Sequence, residues 1–304
     1  MGLSLNISIA ICSYNRSDQL KKTLEFVFDS LDAFEPGDEL LVIDNNSNDS
    51  TSKVSSDFTE QCEGSELTVR YCFESEQGLS AARNRALKEF GTDYLIFFDD
   101  DISVTSDTIQ NYRNAFKQYN DYSFFAGRIL VDWGGRQPSW FKPDELMLIR
   151  GMVGFYDLGN ETVDYTAASL LPYGANFALK KTLINETGLF STDLGVKGKD
   201  IGRGEESDYI LRALRSGFKG LYLPQAVVEH RFQVHRINLM YLFRYGVAKG
   251  NSNEKTPDGS WKREVMSQVF KGVYQLLRFR TGYFYQCVIN IGIAWSNRQY
   301  AGLE

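Results

Sequence analysis

The chain has 304 residues, of which 43% are hydrophobic and 24% charged, as in an ordinary soluble globular protein. That length fits one large α/β domain or two small ones, with ample material for a buried core. A net charge of −6 argues against nucleic acid as a partner.

Residues 7–12 read as a buried strand, after which Ser17 is placed to cap a helix with Leu20, Leu24, Val27, Phe28 and Leu31 on its apolar positions. Residues 39–44 form the next strand and end in Asn45-Asn46-Ser47-Asn48-Asp49, a run of turn formers. Residues 67–73 are a third strand. Gly78 opens a helix with Leu79, Ala82, Ala86, Leu87 and Phe90 on one face. Residues 94–98 are a fourth strand, running directly into Asp99-Asp100-Asp101.

Strand-helix alternation of this kind predicts a parallel sheet covered on both faces, with ligands outside the carboxyl ends of the strands. Polar residues gather at those ends: Ser13-Tyr14-Asn15-Arg16, Asp44-Asn45, Gln77 and the three aspartates. Scattered surface charge would not select strand ends repeatedly.

Farther along, Ile109, Tyr112, Phe116 and Tyr119 predict a helix, and residues 123–131 a strand. Residues 134–165 look irregular; together with Trp133, they are expected to supply a substrate-covering loop region holding Trp140 and Phe155. Residues 207–216 read as a helix stopped by Gly217. Residues 221–223 and 227–228 read as two short strands, and the tail from Asn238 as mostly helical with a break near 250–259. No internal repeat is visible.

The three aspartates are the first chemical signal. Hard divalent cations prefer carboxylate and phosphate oxygens, and carboxylates one residue apart can share a metal and a ribose. Crowding them at the lip of a very apolar strand is costly without a cation. The second signal is Gly204-Glu205-Glu206-Ser207-Asp208, where a carboxylate can act as a base; an acidic helix start favoured by the helix dipole is the alternative. Of the two histidines, His230 follows the apolar pair Val227-Val228 and His235 comes five residues later; one His could complete an aspartate-phosphate metal shell. Pro172-Tyr173-Gly174-Ala175-Asn176 is a turn whose backbone could approach a diphosphate or acceptor. Neither GxxxxGK[ST] nor GxGxxG occurs, which removes the usual support for an ATPase or a dinucleotide oxidoreductase.

Cys12, Cys62, Cys72 and Cys287 form no CxxC pair and read as free thiols of a reducing, cytoplasmic compartment. The N-terminus lacks the basic and apolar regions of a secretory signal. Residues 282–295 are apolar but too short for a confident membrane span. Residues 236–304 carry ten Lys/Arg against four Asp/Glu, a balance of +6 that leaves −12 on the remainder. A basic tail beside an acidic body points to peripheral contact with an anionic membrane such as the inner leaflet, with a solvated helical face as the alternative.

Taken together, the sequence resembles the inverting family 2 glycosyltransferases of GT-A fold, particularly bacterial surface-polysaccharide members. The likeness rests on seven segments in the family's order: residues 9–16, 42–47, 77–84, 97–101 (with its DXD pattern), 173–178, 204–208 and 227–230. It covers roughly residues 5–235 and implies an α/β, Rossmann-like mixed central sheet flanked by helices, followed by a helical C-terminal extension. The implied division is a catalytic domain over 1–235, with a nucleotide-binding half (1–101) and an acceptor half (102–235), then a basic extension over 236–304. The resemblance implies that Ser13, Tyr14, Asn15, Arg16 and Asp44 hold nucleobase and ribose, and that Gln77 and Arg83 line the nucleotide pocket. Asp99 and Asp100 would serve the nucleotide sugar, and Asp101 with His230 would bind Mn²⁺ or Mg²⁺. Gly174 and Asn176 would shape the junction of donor and acceptor. Glu206 would be the base. It stands where the family commonly has the Asp of a Glu-Asp pair, so Glu205 and Asp208 remain alternatives. The implied partners are a nucleotide-sugar donor, with UDP the family habit, and a glycan or lipid-linked glycan acceptor. A sugar nucleotidylyltransferase is the enzymatic rival, and an inactive carbohydrate- or partner-binding scaffold the rival from another class.

Overall fold

The structure is a computed structural model and describes residues 5–166, 170–197, 204–233, 237–252 and 261–296. His235 and the predicted tail break over 253–259 lie outside them. Two compact units arise: residues 5–130, 156–197 and 204–231 form the first, and residues 131–155 with the chain beyond 231 form the second. The second unit thus takes in 25 residues, Val131–Phe155, that a single cut at 235 assigns to the first.

The first unit opens with β1 (Ile7–Ser13), α1 (Ser17–Phe28), a 3₁₀ turn (Leu31–Ala33), β2 (Asp38–Asp44), α2 (Thr51–Gln61), β3 (Leu67–Phe73), α3 (Leu79–Glu89), β4 (Tyr94–Asp99) and β5 (Ile102–Ser103). It continues with α4 (Ser106–Gln118), β6 (Phe124–Asp132, whose last two residues enter the second unit), and then β7 (Val163–Asp164), β8 (Asn176–Lys180), α6 (Lys181–Thr187), α7 (Glu205–Arg215) and β9 (Gly220–Arg231). The number α5 belongs to Met147–Val153 of the second unit.

The strands lie in the order β3-β2-β1-β4-β8-β6-β9-β5, with β7 on β9. The first four are parallel, and β8 joins β4 antiparallel, so the sheet is mixed where strand alternation alone predicted a parallel one. The all-parallel expectation came from residues 7–99, which do form the parallel half. Every residue of β2 is buried, and β1 and β4 nearly so, because helices cover both faces of these strands.

Local chemistry explains the helix starts. Gly78 precedes α3 at φ 145°, open to glycine at little cost. Thr105 and Thr108 form a reciprocal capping box on α4. Ser17 is not a cap: it is the first helical residue of α1, and its amide donates to Asp49 Oδ2 at 2.9 Å. Phe28 faces outward, beyond the stripe formed by Leu20, Leu24 and Val27. A buried ion pair also braces the unit, with Arg113 Nη2 2.5 Å from Asp38 Oδ2 while Asp38 Oδ1 accepts from the Ile7 amide.

The second unit holds α5, α8 (Leu239–Ser252), α9 (Trp261–Leu277) and α10 (Thr281–Ser296). Trp133, Phe141 and Phe232 pack edge to face with ring centroids 5.1–5.5 Å apart, and Leu146, Ile149 and Leu242 extend the cluster. The region expected as a substrate-covering loop is therefore partly core, since its aromatic residues bury one another. α8 and α10 cross closely: a Cβ on Gly246 would lie 2.0 Å from the Ile289 carbonyl oxygen, and one on Gly292 2.2 Å from that of Phe243. Among the described residues, no helix is long and apolar enough to cross a membrane.

Candidate functional site

The carboxyl ends of β1, β2 and β4 open on a cavity of about 230 Å³. Ser13, Tyr14, Arg16, Gln77, Asp99 and Asp100 line it, drawn from three separate sequence segments. Asn45 lines it too, and the sequence reading gave that residue no role. Its side chain donates to the Glu76 carbonyl at 2.6 Å and accepts from Gln77 Nε2 at 3.1 Å and the Gly78 amide at 2.8 Å. Asn45 therefore fixes the lip from which Gln77 projects. The signal was present: an amide at a buried strand end needs several partners.

Three expected nucleotide contacts, Asn15, Asp44 and Arg83, lie outside this lining. Asn15, at φ 50°, accepts from the Asn48 amide at 2.8 Å, so it closes the β1 and β2 loops on each other. Asp44 is buried and accepts from Tyr71 Oη at 2.7 Å and the Ser47 amide at 2.9 Å.

The aspartate turn is held by dense contacts. Arg16 reaches Asp100 at 2.7 Å and also pairs with Asp101. Ser13 Oγ donates to Asp100 Oδ2 at 2.7 Å. His230 Nε2 lies 3.4 Å from Asp101 Oδ1, because β9 pairs antiparallel with β5 and sets His230 opposite Ile102. Burial and repulsion by Asp101 raise the Asp99 pKa, and burial also raises Asp100 against the pull of Arg16. Burial acts on Asp101 in the same sense, but His230 and Arg16 outweigh it and hold that carboxyl well below its ordinary value. Burial pushes the Cys12 thiol up to about 12, so this cavity residue is no thiolate nucleophile.

Sequence reasoning missed the brace beneath the turn. Arg231 Nη2 donates to Thr23 Oγ1 at 2.7 Å, the Gln19 carbonyl at 3.0 Å and the Asp100 carbonyl at 3.3 Å, while Nη1 donates to the Ile102 carbonyl. Thr23 Oγ1 in turn donates to the Asp100 carbonyl at 2.7 Å. Apart from the Thr23 hydroxyl, the acceptors are main-chain oxygens, which leave no mark on residue type.

The second acidic cluster starts α7. Glu205 is buried and accepts from Arg83 Nη1 at 2.8 Å. Arg83 is buried and stands among Phe97, Phe177 and Phe190, 5.5–6.0 Å from their centroids, and does not line the cavity. A Cβ on Gly174 would lie 1.9 Å from Arg83 Nη2, so only glycine admits the guanidinium there. Glu206 is partly exposed. Lost hydration and then repulsion from Glu205 push its carboxyl up to about 8, with Arg83 opposing. Asp208 is different: it accepts from Arg212 Nε at 2.9 Å, and Arg212 also binds the Thr187 and Leu189 carbonyls. That ties Asp208 into a surface bridge between α7 and the end of α6.

The loop before α7 links cluster and cavity. Val196 lines the cavity and its carbonyl accepts from the Leu79 amide at 2.9 Å. The neighbouring Gly195 faces Glu205, whose carboxyl a Cβ there would meet at 3.2 Å. Asn176 is fully buried: Oδ1 accepts from Tyr112 at 2.8 Å, and Nδ2 donates to the Arg128 and Ala226 carbonyls at 3.0 and 2.9 Å. It knits α4, β6, β8 and β9 together.

Comparison with known proteins bears on the family and the fold. The model of Glycosyl transferase family 2 matches residues 8–176. The chain is 25% identical over 244 residues to the glucosyl-dolichyl phosphate glucuronosyltransferase of Haloferax volcanii, covering 78% of this chain and 73% of that protein. Its fold resembles mannosyltransferase PcManGT from Pyrobaculum calidifontis in complex with GDP-Man and Mn²⁺, with a TM-score of 0.62 at 14% identity over 96% of this chain and 86% of that one. It also resembles S. aureus TarS 1-349, with a TM-score of 0.54 at 12% identity over 99% and 92% of the two chains. The mixed sheet flanked by helices is the GT-A fold. With more than half its length matched by the family model, this chain belongs to glycosyltransferase family 2 and is a glycosyltransferase.

Proposed function

We propose that the chain transfers a sugar from a UDP-sugar to an acceptor hydroxyl with inversion, on a glycan or lipid-linked glycan in the assembly of bacterial cell-surface polysaccharide. It would work at the cytoplasmic face of a membrane, in peripheral contact with it. One observation carries the reading: the loop at Gly195-Val196 runs from the polar cavity at the strand ends to the Glu205-Glu206 pair. Uridine follows the family resemblance. The Haloferax relative, whose name places its chemistry on glucosyl-dolichyl phosphate, supports a lipid-phosphate-linked acceptor.

The residues fit a divalent cation. Asp99, Asp100 and Asp101 crowd three carboxyl groups into one buried turn, where Arg16 pairs with Asp100 and Asp101 and His230 stands beside Asp101, and repulsion from Asp101 adds to burial in raising the Asp99 pKa. Among the described residues, no three His, Cys, Asp or Glu side chains form a closed metal cage. An ion held by Asp101 and His230 and completed by diphosphate and water suits that donor set. When bound, Mn²⁺ or Mg²⁺ would neutralise charge on the leaving diphosphate.

The chain's own residues do the rest. Ser13, Tyr14, Arg16 and Gln77 bind the nucleotide, and Asp99 and Asp100 face the ribose and donor. Glu206 takes the proton of the acceptor hydroxyl as its oxygen bonds to the anomeric carbon. The bond from that carbon to the phosphate oxygen breaks, and its electron pair leaves with the nucleoside diphosphate. One displacement inverts the configuration. Burial, together with the Glu205 carboxylate that Arg83 fixes, keeps the pKa of Glu206 high enough to receive a proton near neutrality.

The direct test is thermal stability against a panel of nucleoside diphosphates, with and without Mn²⁺. A ligand at a hundredfold excess over Kd adds about 2.7 kcal/mol to native stability. A Mn²⁺-dependent rise with UDP that disappears in Asp101→Ala is expected. Absence of any shift across the panel would remove the donor site. A retained anomeric configuration in the product would exclude the single displacement.

A further inference from the structure

α9 is inside out. Its face toward the rest of the second unit carries Val265, Gln268, Gly272 and Gln275, spaced three and four residues apart as one helical stripe. Gly272 rests on Phe284 and Cys287 of α10, and Asn290 of α10 donates to Gln268 at 3.4 Å. The opposite face bears Met266, Val269, Phe270, Val273 and Leu277, all exposed, Phe270 at 68% and Leu277 at 76%. Phe279, just past the helix, is 94% exposed. A surface helix ordinarily turns its apolar stripe to the core and its polar residues to water. Here the amides face in and the large apolar side chains face out. A continuous exposed apolar face of this kind marks a docking surface.

We propose that this outer face of α9 lies in the headgroup region of an anionic bilayer, parallel to its plane; the inference rests on the membrane-peripheral part of the proposed function. Charge selects this occupant. Arg263 and Lys271 are exposed on α9, Arg278 and Arg280 follow it, and Glu264 is the acidic residue of the helix. Long basic side chains flanking an apolar stripe can lay their stems on the acyl boundary and their charges on phosphate. A second copy of the chain fits less well, because pairing two such faces sets like charges against each other. Length decides the orientation. α9 has 17 residues, about 25 Å at the helical rise, short of the hydrocarbon core, and its basic flanks favour a surface position. The surface would hold the enzyme where a lipid-linked acceptor resides.

The experiment is flotation of the full-length protein with vesicles, without sugar donor or acceptor. Two compositions are compared: phosphatidylcholine alone, and roughly seven parts phosphatidylcholine to three of phosphatidylglycerol. The parent is expected to float with the anionic vesicles only. Phe270→Glu with Leu277→Glu should lower partitioning at least about tenfold. Arg263→Glu with Lys271→Glu should abolish the preference for anionic lipid. Circular dichroism and the UDP thermal shift establish that each variant is folded. Flotation of the Phe270/Leu277 variant equal to the parent would overturn the proposal, as would no flotation of the parent. Light scattering showing a dimer that this variant dissolves, with no vesicle binding, would assign the face to a second copy instead. Transfer to a water-soluble acceptor is assayed separately, so loss of the transferase reading and loss of the membrane reading give different results.

Discussion

Arg83 Nη1 donates to Glu205 Oε1 at 2.8 Å, with both side chains almost wholly withdrawn from water. The pair fixes one carboxylate at the start of α7 and leaves its neighbour, Glu206, to titrate in the field of a charge that cannot move. Taking away one partner of a buried ion pair strands the other. Arg83→Met is therefore expected to cost about 3–5 kcal/mol in urea unfolding, far more than the loss of a surface pair. Gly174→Ala, which drives a methyl into the same guanidinium, should cost about 1–3 kcal/mol.

Glu206→Gln keeps the shape of the side chain and removes the base. Turnover should fall by about 10²–10⁴-fold, while UDP affinity by calorimetry stays within about twofold. Asp208→Asn should keep most of its activity, since that carboxylate is spent on Arg212. Equal losses in the two variants would move the base away from Glu206.

The pH dependence has two opposite signs. Glu206 titrates at about 8 in the fold against 4.5 for a free carboxyl. Its ionised form is the base, so kcat/KM should climb about tenfold per pH unit below that value and then level. Stability moves the other way. The fold favours the protonated acid, so melting temperature should decline as pH rises from about 4.5 to about 8. Glu206→Gln should flatten that part of the stability profile.

Arg231→Lys tests the brace under the aspartate turn. A lysine keeps the charge but cannot reach the Thr23 hydroxyl and the Gln19, Asp100 and Ile102 carbonyls together. The half-saturating Mn²⁺ concentration should rise roughly ten- to a hundredfold, with kcat at saturating Mn²⁺ little changed. A fall in kcat at unchanged Mn²⁺ demand would give Arg231 a different role.

The parallel half of the sheet was readable because its strands are dense apolar runs punctuated by polar ends. β3 begins and ends at the residues its pattern marked, Leu67 and Phe73. α2 escaped notice since Thr51, Ser55 and Phe58 are its buried positions, and two of them are hydroxyl residues. β9 was read as two short pieces because Pro224 and Gln225 interrupt its apolar pattern, yet it continues for 12 residues. At the site, six named residues from separate segments do share one cavity. Asn176 shows the limit of residue type as a guide: its amide is consumed by Tyr112 and two carbonyls, contacts set by tertiary structure. Arg231 was missed for the same reason, since most of its contacts are to distant main chain; Asn45 was placed among the polar strand ends but given no role.

The placement of β9 also sets an order of events during synthesis. β1 to β4 lie within the first 99 residues and can pair with one another early. His230 and Arg231 stand at the end of the last strand, and Arg231 is 129 residues from the Ile102 carbonyl it grips. A nascent chain that has released the aspartates but not β9 thus exposes a crowded acidic turn with neither its histidine nor its brace. Distant pairings of this kind close late. A ribosome-bound intermediate truncated before residue 220 would already hold the parallel strands, while its acidic turn waited for the chain to arrive.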